Sequence, residues 1–186
     1  MPILPKEPDI FPDNLLADEM EGDASTWWLL YSLARQEKEL TRRLRAQGIP
    51  HYCPLVRRKL RSSSGRVRYS YVPLFAGYVF LRGDGDQRQL ALQTNRVSRC
   101  LAVGESAGLV RDLRRIQQLI ASDAPLTPEA RLSPGMRVRV RSGPLAGLEG
   151  TVIERRGQAR LLVAVEFIQQ GASVQIGDYQ LDRIDY

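Results

Sequence analysis

The chain has 186 residues, of which 43% are hydrophobic, and it carries a formal net charge of +6. This length suits one medium domain or two small domains with apolar cores. No run of about 18 apolar residues occurs, so we expect no membrane-spanning helix. The prolines and acids near the N-terminus are unlike a signal peptide, so the sequence predicts a cytoplasmic protein. Two isolated cysteines are too few for a disulfide framework.

The charge is unevenly distributed along the chain. Residues 1–26 carry seven acids against one lysine, a net charge of −6, whereas residues 35–68 carry eleven Lys and Arg against two Glu, a net charge of +9. A basic block of this density favours polyanionic partners, nucleic acid above all. The alternative is a solvated helix face and an exposed hairpin that bind nothing.

The first two thirds of the chain alternate strand and helix patterns. Residues 1–25 hold four prolines and many acids, so the sequence predicts a disordered acidic tail there. The elements expected after the tail are a strand at 27–33, a helix at 35–47, a strand at 49–59, a basic hairpin around 62–65, a core strand at 73–81, a helix at 84–94 with an Asp84/Gln87 capping box, a strand at 97–103 and a helix at 111–122. This order predicts an α+β fold with helices on one face of a largely antiparallel sheet.

The last third has a different pattern. Residues 123–133 contain two prolines among polar residues, which predicts a linker. An alternation of apolar residues and arginines over 136–141, followed by three glycines and a proline over 143–150, predicts two strands joined by a tight connection. Further strands are expected at 161–167, 173–176 and 181–184. Five short strands in about 50 residues predict a small barrel.

Patterns for catalysis or metal binding are weak in this sequence. His51 is the only histidine, and with Cys53 it offers two possible ligands but no second pair. The same two residues come with no recognisable oxyanion site for nucleophilic catalysis. The glycine-rich connection lacks the Gly-Lys-Ser/Thr end of a phosphate loop. We therefore expect no enzyme activity, no metal and no other cofactor.

Three segments together resemble the NusG family of transcription elongation factors. They are WWLLYSLARQEKEL at 27–40, PLFAGYVFL at 73–81 and RVRVRSGPLAGLEGTV at 137–152. The resemblance implies an NGN domain over 26–122 and an all-β KOW barrel over 134–186, joined by the linker at 123–133 and preceded by the acidic tail at 1–25. The first two segments look closer to the specialised RfaH-like paralogues than to general NusG. One departure is Ala76, where many family members have a proline.

The resemblance implies a function in transcription. It suggests that the NGN domain binds the clamp helices of RNA polymerase across the DNA channel and suppresses pausing. It also suggests that the KOW domain recruits a ribosomal protein of the small subunit or the termination factor Rho. We therefore predict a bacterial elongation and antitermination factor that acts as a monomer and has no membrane partner. The alternatives are a ribosome-associated or RNA-binding KOW protein and a Rho-dependent termination cofactor.

The resemblance also assigns candidate site residues. The apolar patch that would bind polymerase comprises Tyr31, Pro73, Leu74, Phe75 and Tyr78, although some of these side chains could instead fill the core. Phosphates of upstream or non-template DNA would meet cations on the first helix and its flank and on the hairpin, namely Arg35, Lys38, Arg42, Arg43, Arg57, Arg58, Lys59 and Arg61. In the KOW domain Ile168 is the better candidate for the second partner, because the alternation predicts that Phe167 packs in the core.

Overall fold

The computed structural model describes residues 5–17, 25–177 and 179–184. The chain divides into two compact units, Met1–Ser106 and Ala107–Tyr186. The first combines antiparallel strands with helices, and the second consists mainly of antiparallel strands. The predicted fold class is thereby confirmed.

The described residues of the first unit form seven strands and two helices. These are β1 (Ile10–Phe11), β2 (Thr26–Ser32), α1 (Glu37–Ala46), β3 (His51–Tyr52), β4 (Leu55–Arg61), β5 (Val67–Pro73), β6 (Tyr78–Gly83), α2 (Gly85–Gln93) and β7 (Val97–Ala102). Five strands make one sheet in the order β1-β3-β6-β2-β7, and β4 pairs only with β5 as a separate hairpin. The predicted 49–59 strand is divided at Cys53 and Pro54, because proline cannot donate a ladder hydrogen bond.

The core of this unit lies between α1 and the middle of the sheet. Leu40 and Leu44 are one helical turn apart, so they point from the same face of α1 towards Leu30 and Val79 of the central strands. The helix α2 begins with the predicted capping box: Asp84 accepts from the backbone of Gln87, whose side chain accepts in return from the backbone of Asp84.

The prediction of a disordered tail is wrong for residues 5–17, which form an ordered arm. Strand β1 pairs antiparallel with β3, and the backbone N–H of Cys53 donates to the carbonyl of Asp9 at 2.8 Å. Leu15 and Leu16 are buried. The acidic composition of the segment does not reveal that these two leucines are buried. Their burial offsets the conformational entropy lost when the arm becomes ordered. The rest of the predicted tail, residues 1–4 and 18–24, lies outside the described residues.

The second unit begins with a helix and continues as a sheet. Its elements are α3 (Ser106–Ala121), β8 (Leu126–Glu129), β9 (Met136–Val140), β10 (Glu149–Arg155), β11 (Gln158–Val165), a 3₁₀ turn (Glu166–Ile168), β12 (Gln170–Gln175) and β13 (Leu181–Arg183). The sheet order is β13-β9-β10-β11-β12-β8. All five predicted strands are present, and β8 lies inside the segment predicted as a linker, where it pairs with β12. The sequence assigns α3 to the first domain, whereas the division into compact units groups it with the second.

The connection between β9 and β10 is tight and apolar inside. Leu145 and Leu148 are buried, and the N–H of Gly147 donates to the carbonyl of Val140 at 2.8 Å. Gly147 has φ +84°, a left-handed conformation that glycine adopts without a steric penalty. Gly150 lies so close to the adjacent strand that an added Cβ would meet a backbone carbonyl at 2.6 Å. The glycines of this motif are therefore required by backbone geometry and close packing.

Candidate functional site

Two tyrosines form the exposed part of the predicted polymerase patch. Tyr31 near the end of β2 is directly opposite Tyr78 at the start of β6, and their ring centroids are 5.0 Å apart. Both side chains are only half-buried. Arg99 on β7 places its guanidinium 5.7 Å from the Tyr31 ring centroid. Partial burial, with the Tyr31 hydroxyl as a second cause, raises the pKa of Tyr78. The pair therefore offers a rigid aromatic surface with a cation at its border.

The segment between β5 and β6 places the other patch residues differently from the prediction. Leu74 and Phe75 are 3% and 2% exposed, so they are not available at the surface, whereas Pro73 is half-buried at the end of β5. The N–H of Leu74 donates to the carbonyl of Pro54, next to the Leu55–Pro73 pair of the β4–β5 hairpin. The N–H of Tyr78 donates to the carbonyl of Phe75, which closes a tight turn over residues 75–78. Gly77 has φ +84° in this turn, and its N–H donates to Glu37 at 2.7 Å.

Three cations of α1 contact the N-terminal arm. Glu7 accepts two hydrogen bonds from Arg42, each 2.8 Å long, and lies 3.9 Å from Lys38. The Arg42 guanidinium lowers the pKa of Glu7, so this carboxylate stays ionised. Arg45 donates to the carbonyl of Pro8 at 2.7 Å. The face of α1 that the sequence predicts for DNA phosphates is thus partly covered by an acid of the same chain.

The two remaining helix-side candidates differ from each other. Arg43 donates to Glu39 of the same helix at 2.9 Å and to the carbonyl of Thr94 at 3.1 Å, which ties α1 to the end of α2. Arg35 precedes the helix and is exposed. Arg43 therefore has a structural role, and Arg35 is the more accessible of the two.

The β4–β5 hairpin carries the densest accessible positive charge. Six cations lie between residues 55 and 73, where the sequence has no acid: Arg57, Arg58, Lys59, Arg61, Arg66 and Arg68. All six are exposed, and within the described part of the chain none is paired with a carboxylate. The guanidinium of Arg57 lies over the ring of Tyr69, 4.9 Å from its centroid. The charge of this hairpin is evident from its sequence, whereas the contact between Arg57 and Tyr69 depends on how its two strands pair.

In the second unit the burial of the two candidates is the reverse of the prediction. Phe167 is 39% exposed and Ile168 is 9% exposed. The alternation of β11 ends at Val165, and the 3₁₀ turn that follows rotates the next side chains out of the strand pattern. Phe167 is therefore the accessible apolar residue at this position.

His51 is a buried structural residue. Its Nδ1 lies 2.8 Å from the carbonyl of Ile49, to which it donates in the neutral form, and burial lowers its pKa to about 4. Within residues 5–17, 25–177 and 179–184, no group of three or more His, Cys, Asp and Glu is placed to hold a metal ion. Cys53 is a buried free thiol, and Cys100 is half-buried. None of the helices in the described part of the chain has the length and hydropathy needed to span a membrane.

A half-buried tyrosine pair, an exposed basic hairpin and an exposed phenylalanine on a β unit are typical of a protein that binds macromolecules. A family model described as NusG, transcription termination factor nusG, matches residues 25–120, which is more than half of the chain. The chain belongs to the NusG family of transcription factors.

Solved structures show weaker likenesses. One is titled "Domain interaction in Thermotoga maritima NusG", with 17% identity, a TM-score of 0.45 and coverage of 87% of this chain and 98% of that chain. Another is the MjSpt4:Spt5 complex in conformation A, with 16% identity, a TM-score of 0.30 and coverage of 84% and 98%. Among curated proteins no relative matches the chain.

Proposed function

We propose that this protein is a transcription elongation and antitermination factor of the specialised RfaH-like type, whose first unit binds the clamp helices of RNA polymerase. The observation that carries the proposal is the Tyr31–Tyr78 pair, which lies within the family-matched segment and is accessible to a partner. Rigid aromatic side chains at the centre of an interface dominate its binding energy. The docking surface is smaller than the sequence predicts, because Leu74 and Phe75 are buried and only Pro73 joins the two tyrosines.

Binding across the clamp suppresses pausing when the protein prefers the active polymerase over the paused one. A tenfold shift in that equilibrium requires a difference in binding free energy of about 1.4 kcal/mol. No chemical step is needed, which agrees with the expectation that the protein is not an enzyme. We further propose that the hairpin cations contact phosphates of upstream or non-template DNA, since they are exposed and free of carboxylate partners among the described residues.

The second unit is proposed to recruit a second partner, a ribosomal protein of the small subunit or the termination factor Rho. The support is Phe167, whose exposed ring follows the end of β11 and stands beside the buried Ile168. The matching family model is described as a termination factor, so a Rho-dependent termination cofactor is the second candidate function. The two candidates differ in outcome, because antitermination lengthens transcripts beyond a Rho-dependent terminator and a termination cofactor shortens them.

The test measures affinity for core RNA polymerase and the lifetime of a defined pause. Tyr31→Ala and Tyr78→Ala are each expected to weaken polymerase binding about 30-fold, the effect of losing about 2 kcal/mol at an aromatic hot spot. Phe167→Ala is the matched control, because it removes an exposed aromatic ring from the second unit. It is expected to leave polymerase binding and pausing unchanged while weakening the interaction with the second partner.

Equal polymerase binding by the wild type and both tyrosine variants would show that the tyrosine pair is not the docking surface. Failure of the wild type to bind polymerase would refute the proposed function itself. A wild-type protein that binds polymerase but shortens transcripts at a Rho-dependent terminator would establish the second candidate in place of the first.

A further inference from the structure

The register of the β4–β5 hairpin separates its side chains into two unlike faces. Directly opposite residues of an antiparallel pair project to the same side. The Tyr69 face consists of opposite pairs that combine cations with aromatic or apolar side chains: Arg57 with Tyr71, Lys59 with Tyr69 and Arg61 with Val67. The Arg58 face is formed by Val56 with Val72, Arg58 with Ser70 and Leu60 with Arg68. Both tyrosines of the hairpin therefore lie on a single face.

The Tyr69 face changes character along its length. Tyr71, near the base of the hairpin, packs against the core of the first unit. Tyr69, one step further towards the tip, is half-buried, and the Arg57 guanidinium lies over its ring. Lys59 and Arg61 continue beyond it and are exposed. The anchored tyrosine fixes the base of this face, and the outer tyrosine stands among three cations.

This combination fits a particular class of polyanion. Same-face cations on one strand recur about every 7 Å, which allows each to meet a phosphate of an extended chain. A planar ring and a guanidinium among these cations can stack on exposed bases, as in proteins that bind single strands without reading sequence. A duplex keeps its bases stacked inside and would meet only the charges, for which the Arg58 face is also suited. The aromatic asymmetry therefore favours a single strand.

We propose that the Tyr69 face binds single-stranded nucleic acid, with the cations on phosphates and the Tyr69 ring stacked on a base. This deepens the proposed phosphate contact of the hairpin and rests on it, but it is independent of polymerase docking. The contact is local in the hairpin, so it exists in the free protein. Because the strand is held by charge and stacking, its affinity depends on salt and tolerates changes of base sequence.

The test uses the full chain and a fluorescent oligothymidine of about 12 nucleotides, followed by anisotropy over a range of salt concentrations. Tyr69→Ala is expected to weaken single-strand binding about tenfold, while Tyr69→Phe keeps the ring and binds like the wild type. Leu60→Ala is the control for loss of an exposed apolar side chain on the Arg58 face. It is expected to have no effect. A duplex of equal length should bind more weakly to the wild type and be insensitive to Tyr69→Ala.

Two charge-matched double variants separate the faces. Lys59→Gln with Arg61→Gln removes two cations from the Tyr69 face, and Arg58→Gln with Arg68→Gln removes two from the Arg58 face. The first double is expected to flatten the slope of log K against log salt concentration by about 1.4, because each neutralised phosphate of a single strand adds about 0.7 to that slope. The second double is expected to change the slope by much less.

Each contrary outcome has a distinct meaning. Equal effects of the two doubles, equal effects of Tyr69→Ala and Leu60→Ala, or stronger binding to the duplex would overturn the single-strand assignment while leaving a hairpin contact with phosphates. Absence of binding to either nucleic acid would overturn both this inference and the proposed DNA contact. Neither result bears on polymerase docking, which the tyrosine pair variants test separately.

Discussion

Replacement of Leu15 by alanine tests whether the N-terminal arm belongs to the fold. Leu15 is 1% exposed, and a buried leucine truncated to alanine loses about 2–5 kcal/mol of stability through reduced burial and the cavity left behind. Because an arm near the terminus can detach before the rest of the unit unfolds, the loss is limited to the free energy that holds it. We therefore expect Leu15→Ala to lower the free energy of unfolding of the first unit by about 2 kcal/mol.

Tryptophan fluorescence during urea unfolding reports on this unit selectively. The two tryptophans of the chain, Trp27 and Trp28, are neighbours on β2 in the first unit. With a denaturant slope of about 2 kcal/mol/M, a loss of about 2 kcal/mol lowers the midpoint by about 1 M urea. The matched control is Leu33→Ala, because Leu33 is 41% exposed and its truncation should change stability by less than about 0.5 kcal/mol.

The contrary result is that Leu15→Ala and Leu33→Ala unfold at the same urea concentration. That result would mean that the arm contributes no burial to the stability of the first unit, as the acidic composition alone predicts.

Three other substitutions test separate contacts. Glu7→Gln should raise affinity for a polyanion such as heparin by up to about fivefold, because it releases cations of α1 from their carboxylate partner. Asp13→Asn removes the same charge from an exposed position and should have a smaller effect. Equal effects of the two variants would indicate only a change in net charge. Because burial lowers the pKa of His51 to about 4 in the folded state, the unfolded chain binds more protons between pH 6.5 and 4, and the free energy of unfolding should fall by at most about 3 kcal/mol on acidification through that window. Urea titrations at each pH should show that His51→Asn lacks this pH-dependent component. An identical pH profile for the variant and the wild type would contradict this assignment. Gly150→Ala should lower the thermal midpoint of the second unit, measured by circular dichroism, by an amount corresponding to about 1–3 kcal/mol, because its Cβ would lie 2.6 Å from a backbone carbonyl. Gly177→Ala is the control, since a Cβ at Gly177 meets no atom within 4 Å and should be neutral. Similar midpoints for the two variants would contradict the close approach at Gly150.

Local signals in the sequence predicted the elements well. The capping box at Asp84 and Gln87 needs only residues three apart, and its two hydrogen bonds are present. The strands around the glycine-rich connection and the basic hairpin follow from alternation and turn residues, which are also local. Family membership followed from the order of three such segments.

Features set by distant contacts were not predictable. The acids of the arm indicated disorder because composition does not reveal that Glu7 meets Arg42 or that Leu15 is buried. Leu74 and Phe75 lie in a turn that folds inward, and no periodicity distinguishes an inward turn from an exposed apolar patch. Phe167 is exposed and Ile168 is buried, the reverse of the prediction, because β11 ends in a 3₁₀ turn that the alternation of apolar residues does not reveal.

The position of β1 also affects self-association. As the outermost strand beside β3, it covers backbone groups of Tyr52 and His51 that would otherwise form an open sheet edge. Uncovered edges pair readily with other chains and promote aggregation. In a chain shortened by proteolysis after residue 17, β3 would therefore lose β1 and could pair with a strand of another molecule. Such a chain would aggregate more as its concentration rises.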